Sequence, residues 1–589
     1  MNKNVETNND TLGFASSSEA FAESFKQCEE LMRDFSEQFK TKDMDPLNLG
    51  EIYGDLFKEI AKDPQKLIDA NMEYWQSATE MFQAAVKTST EDGDKTAPVE
   101  TDKRFRHESW QQEPIFDYIK KSYLLGSKWT RDVISDHDGL DEQTSSRIEF
   151  FTERFLDALS PTNFAMTNPA VLEKAAETNG QSLVDGMKNM LEDLDVNSGQ
   201  LNTKMTDTSA FTLGENIATS PGKVVFQNKM MQLIQYAPST EKVSKRPLLV
   251  VPPWINKFYI MDLQPKNSLI KWLVDQGHTV FVISWVNPDE SYRETSFDDY
   301  VSGGPLAALD AIEKATGQKE VNAIGYCIGG TLLSSTLAYM KVKDDDRIKS
   351  ATFLTTMLDF SEPGDLGVFI NESQLDSLNN KMSETGFLDG KEMAGTFNLM
   401  RANDLIWSFY INSYLLGNDP RPFDLLYWNS DSTCMPASMH SWYIKNCYAD
   451  NSLCKPDAVS ILGEKIDFSK IDTPACFVST VEDHIAPWKS TYQGAQIFSG
   501  PVQFILGGSG HIAGIINPPE ANKYGYQVTK KLAKDPEAWA EKAKVSEGSW
   551  WPEWQKWINP KEGALVKARE PGAGKLDVLE EAPGSYVKS

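Results

Sequence analysis

Cys327, Asp483 and His511 have the residue types, settings and chain order needed for nucleophilic catalysis through a thiol. Cys327 is the middle of Gly325-Tyr326-Cys327-Ile328-Gly329-Gly330-Thr331, which follows an apolar run from Val321 and opens into Leu332-Leu333-Ser334-Ser335-Thr336-Leu337-Ala338. Strand, sharp turn and helix are the context of a nucleophile elbow, here with Cys where the Gly-x-Ser-x-Gly pattern has Ser. Glycines two before and two after suit a turn whose backbones crowd together and leave no room for a Cβ. A thiol at its tip, above the unpaired N–H groups of the next helix, is disposed to ionise. A packing turn around a small buried cysteine would show the same letters, so the elbow needs partners elsewhere in the chain.

Two later strands supply them. Pro474 to Thr480 is a strand by its branched and aromatic residues, and it runs into Val481-Glu482-Asp483-His484-Ile485-Ala486-Pro487-Trp488. Val502 to Leu506 reads as the last strand, followed by Gly507-Gly508-Ser509-Gly510-His511-Ile512-Ala513-Gly514. Nucleophile, acid and histidine in that order are the order of the α/β-hydrolase fold. The long gap before Asp483 leaves room for an inserted cap, and the short one before His511 for a single helix. His484 competes for the role of base, but its place beside Asp483 suits local turn bonding, and the order and loop criteria select His511. His107, His137, His278 and His440 have no such setting.

The elements that must position these residues follow from periodicity. Val224-Val225-Phe226, Met231 to Tyr236 and Pro247 to Val251 are strands; then helix and strand alternate through Ser268–Gln276, Thr279–Ser284, Tyr300–Ala315, Val321–Ile324 and Ser350–Thr355. Such alternation implies a doubly wound, mostly parallel sheet, whose ligands bind beyond the carboxyl ends of the strands, where Cys327 falls. From about 359 to 453 the alternation stops and aromatics gather, including Trp407, Tyr410, Tyr414, Tyr427, Trp428, Trp442, Tyr443 and Tyr448. This stretch is too long for a loop and reads as a helical cap that excludes water, its aromatics forming cap core or a subunit contact.

The N-terminal third is all helical. Phe21, Phe25, Leu31, Met32, Phe35 and Phe39 recur at helical spacing, as do Ile68, Met72, Trp75, Met81 and Phe82 within residues 1–95. Lys87 to Asp102 reads as a linker. Residues 96–210 follow as a helical domain, with Trp110, Phe116, Tyr118, Tyr123 and Trp129, then Ile148, Phe151, Phe155 and Leu159, then a helix from Asn168-Pro169 through Met187, Met190 and Leu194. Their apolar faces are expected to pack on the catalytic core formed by residues 211–589; the alternative is that they meet an apolar surface or another protein.

Composition bounds the function. The 589 residues carry 58 basic and 85 acidic side chains, a formal charge of -27, and that field repels nucleic acid. The first ten residues lack an apolar leader segment and no apolar run is long enough to span a bilayer, so a cytoplasmic protein is expected. Cys28, Cys327, Cys434, Cys447, Cys454 and Cys476 show no Cys-x-x-Cys pair. Cys434, Cys447 and Cys454 lie near one another without metal-ligand spacing, so neither a disulfide framework nor a metal is implied.

The elbow, Glu482 to Trp488 and Gly508 to Pro519 resemble those of poly(3-hydroxyalkanoate) synthases. Further matches are Val251-Pro252-Pro253-Trp254-Ile255-Asn256-Lys257, Asp262-Leu263-Gln264-Pro265, Gly277 to Phe281, Phe297 to Tyr300, Ser160 to Phe164 and Gly548-Ser549-Trp550-Trp551-Pro552. The likeness runs from about residue 100 to the end; length and the helical N-terminal region resemble class I. The resemblance implies polymerisation of short-chain 3-hydroxyacyl-CoA, such as 3-hydroxybutyryl-CoA, through an acyl thioester on Cys327, with His511 taking the thiol proton. No cofactor or metal is implied. It implies oxyanion donors at the N–H groups of Ile328 and Ile255, and a homodimer at the surface of polyester granules with their coat proteins. Asp483 either orients His511, as in hydrolases, or activates the monomer hydroxyl, the role associated with the family. Two other readings stay open: an acyl-CoA thioesterase or cysteine hydrolase of the same fold, and a non-catalytic granule protein.

Overall fold

The computed structural model describes residues 47–88, 102–135, 139–195, 201–529 and 531–589. The helix expected over Phe21 to Phe39, most of the linker, Cys28 and His137 lie outside them.

Eleven strands form one sheet: β1 (Gly222–Gln227), β2 (Met231–Tyr236), β3 (Leu248–Val251), β4 (Val280–Trp285), β5 (Val321–Tyr326), β6 (Ile348–Leu354), β7 (Ala475–Thr480), β8 (Val502–Gly507), β9 (Tyr526–Val528), β10 (Lys544–Ser546) and β11 (Glu580–Glu581). Their order is β10-β9-β8-β7-β6-β5-β3-β4-β2-β1-β11. The run from β8 to β4 is parallel throughout, and antiparallel strands close both edges. Alternate residues of the central strands bury both faces: Leu249, Val251, Phe281 and Ile283 enter one layer, and Leu248, Val250, Val280 and Val282 the other. Apolar residues on both faces are what a parallel sheet covered by helices requires. β8 is therefore the last parallel strand but not the last strand, as expected from sequence: β9 and β10 follow it. These three-residue strands are too short to show a periodicity.

The stretch from 359 to 453 is a helical insertion. Its helices are Glu372–Thr385, Gly390–Met400, Asp424–Ser430 and Ala437–Tyr443, with wide π turns at Asn403–Trp407, Ile411–Leu415 and Ile444–Ala449. In the N-terminal region, helices span Leu49–Lys62, Pro64–Thr88, Pro114–Ile134, Glu142–Ala158, Pro169–Glu177 and Gln181–Asp193. The single helix expected from Asn168 to Leu194 is thus two, because Asn179 and Gly180 turn left-handed at φ 52° and 84°. Ile52, Leu56 and Ile60 share a buried cluster with Ile148 and Phe151.

These helices seat on the cap of the catalytic region. The buried Tyr414 hydroxyl donates to Asp193 (2.8 Å), Asn403 to Asp157 (2.6 Å) and Arg154 to the Met400 carbonyl (2.7 Å). Gly186 permits the approach: a Cβ there would stand 2.0 Å from the Tyr414 carbonyl oxygen. The other side of helix Gln181–Asp193 leaves Val184, Met187 and Leu191 exposed, and Ile68, Met72, Trp75 and Phe82 are exposed on Pro64–Thr88. The helical period of these residues was a true signal of helix, but the apolar stripe it marks faces outward.

Candidate active site

The turn after β5 is a strained elbow. Cys327 adopts φ 52°, ψ -126°, a conformation that a side chain resists and that persists only where the surroundings enforce it. The enforcement is visible. Cys327 N–H donates to the Leu354 carbonyl on β6 (2.8 Å), and its carbonyl accepts from the Thr356 hydroxyl (3.2 Å). A Cβ on Gly325 would lie 2.4 Å from Gly330 Cα, and one on Gly329 would lie 2.3 Å from the Val251 carbonyl oxygen. The flanking glycines are thus required by backbone contact. Helix Ile328–Val342 starts immediately after the thiol and is buried along almost all of its length.

Asp483 and His511 lie on the loops after β7 and β8, the next parallel strands but one and two from β5. The two loops are tied together by Glu482 N–H donating to the Ser509 carbonyl (2.9 Å). His511 Nδ1 stands 2.7 Å from Asp483 Oδ2, and both side chains are buried. The other carboxylate oxygen, Oδ1, accepts from the N–H groups of Ile485 (2.9 Å) and Ala486 (2.8 Å), so both oxygens are engaged. Burial works against charge on His511, but the Asp483 carboxylate and then the Cys327 side chain, with hydrogen bonds to both, overcome it and raise its pKa. Cys327, Asp483 and His511 therefore form one connected constellation, as their order in the chain predicted.

His484 is half-buried and belongs to another neighbourhood. Burial lowers its pKa, and its charged neighbours beyond Asp483 include Arg401 and Asp365 of the cap. His278 pairs with Gln555 (3.0 Å), His107 with Glu173 (2.8 Å), and His440 is buried in the cap. Ile328 occupies the first helical position after the thiol, and Ile255 lies on the loop that follows β3. Among the described residues, neither N–H donates to another protein group. The Gly329 contact with Val251 and Pro252 brings that loop against the elbow.

Several residues around the site were not singled out from sequence. Tyr326 stacks on His511 at 5.9 Å between centroids, and its hydroxyl donates to the His511 carbonyl (3.2 Å). Trp550 and Trp551 brace the same loop through indole N–H bonds to Gly514 (3.0 Å) and Ile515 (2.9 Å). From the cap, Tyr443 and Tyr448 meet edge to face at 5.6 Å; burial, then neighbouring groups including Cys327, raise both phenol pKa values. Their aromatic clustering was the available signal, but periodicity does not say which ring reaches a thiol more than a hundred residues earlier in the chain. Among the described residues, no three His, Cys, Asp or Glu side chains are placed to hold a metal ion, and no helix is long and apolar enough to cross a membrane.

A family model described as poly-beta-hydroxybutyrate polymerase (PhaC) N-terminus matches residues 101–273, and one for the alpha/beta hydrolase fold matches residues 246–518. The chain is 46% identical over 550 residues to the poly(3-hydroxyalkanoate) polymerase subunit PhaC of Rhizobium meliloti (strain 1021), covering 92% of this chain and 90% of the relative. The chain belongs to the poly(3-hydroxyalkanoate) polymerase family. It is also 48% identical to the poly(3-hydroxyalkanoate) polymerase of Methylorubrum extorquens, covering 90% of this chain and 87% of that one. Identity to the PhaC subunit of Cupriavidus necator is 38%, with 89% of each chain covered. The chain is an acyltransferase-type enzyme of this family, and its fold is that of the α/β-hydrolases with the helical N-terminal region ahead of it.

Proposed function

We propose that the chain polymerises short-chain (R)-3-hydroxyacyl-CoA, 3-hydroxybutyryl-CoA above all, through an acyl thioester on Cys327. The observation that carries this reading is the buried His511, held between the Asp483 carboxylate and the Cys327 thiol. His511 takes the thiol proton, and the thiolate attacks the carbonyl of the acyl-CoA. The carbon–sulfur bond to CoA breaks, and the imidazolium returns the proton to the departing CoA thiol. The hydroxyl of a second monomer then gives its proton to His511 and attacks the Cys327-bound carbonyl. An ester forms and the Cys327 sulfur is released. The freed thiolate takes the lengthened chain from that monomer's own CoA thioester and expels CoA, so each cycle adds one ester.

Thioester exchange between two thiols is close to isoenergetic, which lets Cys327 accept and pass on an acyl group without trapping it. The oxyanions formed at each attack are met by the N–H groups of Ile328 and Ile255, both free to donate. Asp483 acts by orienting His511, since its oxygens are already engaged by that ring and by the turn N–H groups. The cap tyrosines close over the thiol and keep water from the acyl-enzyme. The exposed Val184, Met187 and Leu191 offer an apolar surface to insoluble polyester, at which the enzyme works as a homodimer in the cytoplasm.

Incubation of the purified protein with 3-hydroxybutyryl-CoA tests the reading. CoA release with accumulation of insoluble polyester is expected, and Cys327→Ala abolishes both. Soluble 3-hydroxybutyrate as the only product would assign the site to thioester hydrolysis instead.

A further inference from the structure

We propose that the cap holds one of the two oxyanion donors in place, with Thr433, Tyr259 and Lys257 as positioning residues. The inference rests on Ile255 N–H being a donor, as read above. The two donors are anchored differently. Ile328 belongs to the elbow, which is bonded to β6 through Leu354 and to Thr356 just beyond it. The loop carrying Ile255 leaves β3 and has one early tie to the core, from the Trp285 indole to the Pro252 carbonyl (2.9 Å).

From Trp254 onward most of its hydrogen bonds go to the cap's return segment, residues 428–434, although the Trp254 ring itself packs on Phe297 and Tyr300 of the catalytic core. The Thr433 hydroxyl donates to the Trp254 carbonyl (2.8 Å), Asn256 pairs antiparallel with Ser432, and the Trp428 indole donates to the Lys257 carbonyl (2.7 Å). The Tyr259 hydroxyl donates to Asp431 Oδ2 (2.7 Å). The buried Lys257 ammonium lies 3.7 Å from Asp431 Oδ1 and donates to the carbonyls of Val587 (3.0 Å) and Ser589. Ile255 thus sits between two residues that are both tied to the cap.

The consequence is mechanical. A shift of the return segment carries Ile255 N–H with it, while the thiol, His511 and Ile328 stay with the sheet. The hole is complete only with the cap seated, so an active site opened to water loses acyl-transfer power. The thiol itself remains reactive toward reagents that need no oxyanion donor. Hydrolysis of a loaded acyl chain is thereby suppressed in the state that admits water.

Thr433→Val removes one donor at nearly constant shape, and Thr433→Ser keeps it. In the full chain, steady-state CoA release from 3-hydroxybutyryl-CoA gives kcat and KM, and iodoacetamide alkylation of Cys327 reports the elbow. A misplaced donor lowers kcat by about tenfold with KM unchanged. That loss is expected for Thr433→Val with an unchanged alkylation rate, Thr433→Ser restores kcat, and Tyr259→Phe acts in the same direction. Unchanged kcat in Thr433→Val, or alkylation falling in step with kcat, would overturn the inference. Wild-type protein that alkylates but releases no CoA would overturn the acyl-transfer reading itself, and this inference with it.

Discussion

Replacing Asp483 by Asn separates the two roles open to this carboxylate, and the structure gives the size of the effect. Asn can keep its carbonyl oxygen under the N–H groups of Ile485 and Ala486, now at 2.9 and 2.8 Å from Oδ1, so the turn persists. Its amide nitrogen then replaces the oxygen that stands 2.7 Å from His511 Nδ1. Being a donor, it forces the ring proton onto Nε2, the nitrogen that must receive the thiol proton. The imidazolium also loses its counter-charge. With charge centres about 4 Å apart and an effective dielectric near 20, that attraction is about 4 kcal/mol. At about 1.36 kcal/mol per decade, loading of Cys327 should slow by about 10³-fold. Rapid-quench measurement of the first CoA released from 3-hydroxybutyryl-CoA reads loading; polymer formed over later turnovers reads elongation. Loss of both together, with slower iodoacetamide alkylation at pH 7, is the expected result. Loading within about threefold of wild type alongside lost elongation would refute the argument and place Asp483 on the monomer hydroxyl.

Two further outcomes follow from strain and burial. Cys327→Gly, although inactive, should be more stable than Cys327→Ala by about 1 kcal/mol, because only Gly relaxes at φ 52°; equal midpoints in urea unfolding would show that the elbow stores no such strain. Asp262 is buried, which pushes its pKa up to about 6 against hydrogen bonds from Ser220 and Ser268. A carboxyl raised in the folded state contributes stability that is full below the unfolded pKa, about 3.9, and is lost as pH rises through the folded value. Asp262→Asn removes this titration, so wild type minus variant stability should fall by about 2 kcal/mol from pH 4 to pH 7, read by chemical denaturation at each pH. A difference that is constant or grows with pH would contradict it.

The candidate triad was legible in the chain because each member sits next to a local signal. The Gly-x-Cys-x-Gly elbow, the Glu482-Asp483 turn and the Gly-rich turn before His511 each follow an apolar strand, and parallel strands deliver their C-terminal loops to one edge of a sheet. Chain order along such a sheet already places the three together. The edge strands β9, β10 and β11 were not legible, being two or three residues long and defined by pairing rather than by pattern. Nor was the direction of the N-terminal apolar stripes. Helical period marks a face, but whether Val184, Met187 and Leu191 meet protein or solvent depends on what lies opposite.

The same limit applies at the site. Cys327, Asp483 and His511 declare themselves through residue type and turn context, which are local properties of the chain. The stitching of Trp254 and Asn256 to Thr433 and Ser432, and the approach of Tyr443 and Tyr448 to the thiol, join residues far apart in sequence. No local pattern encodes such contacts, because each depends on how the inserted cap docks as a whole. Chain-local chemistry names the candidate groups; the packed fold decides what closes over them and what holds the loop of Ile255 in register.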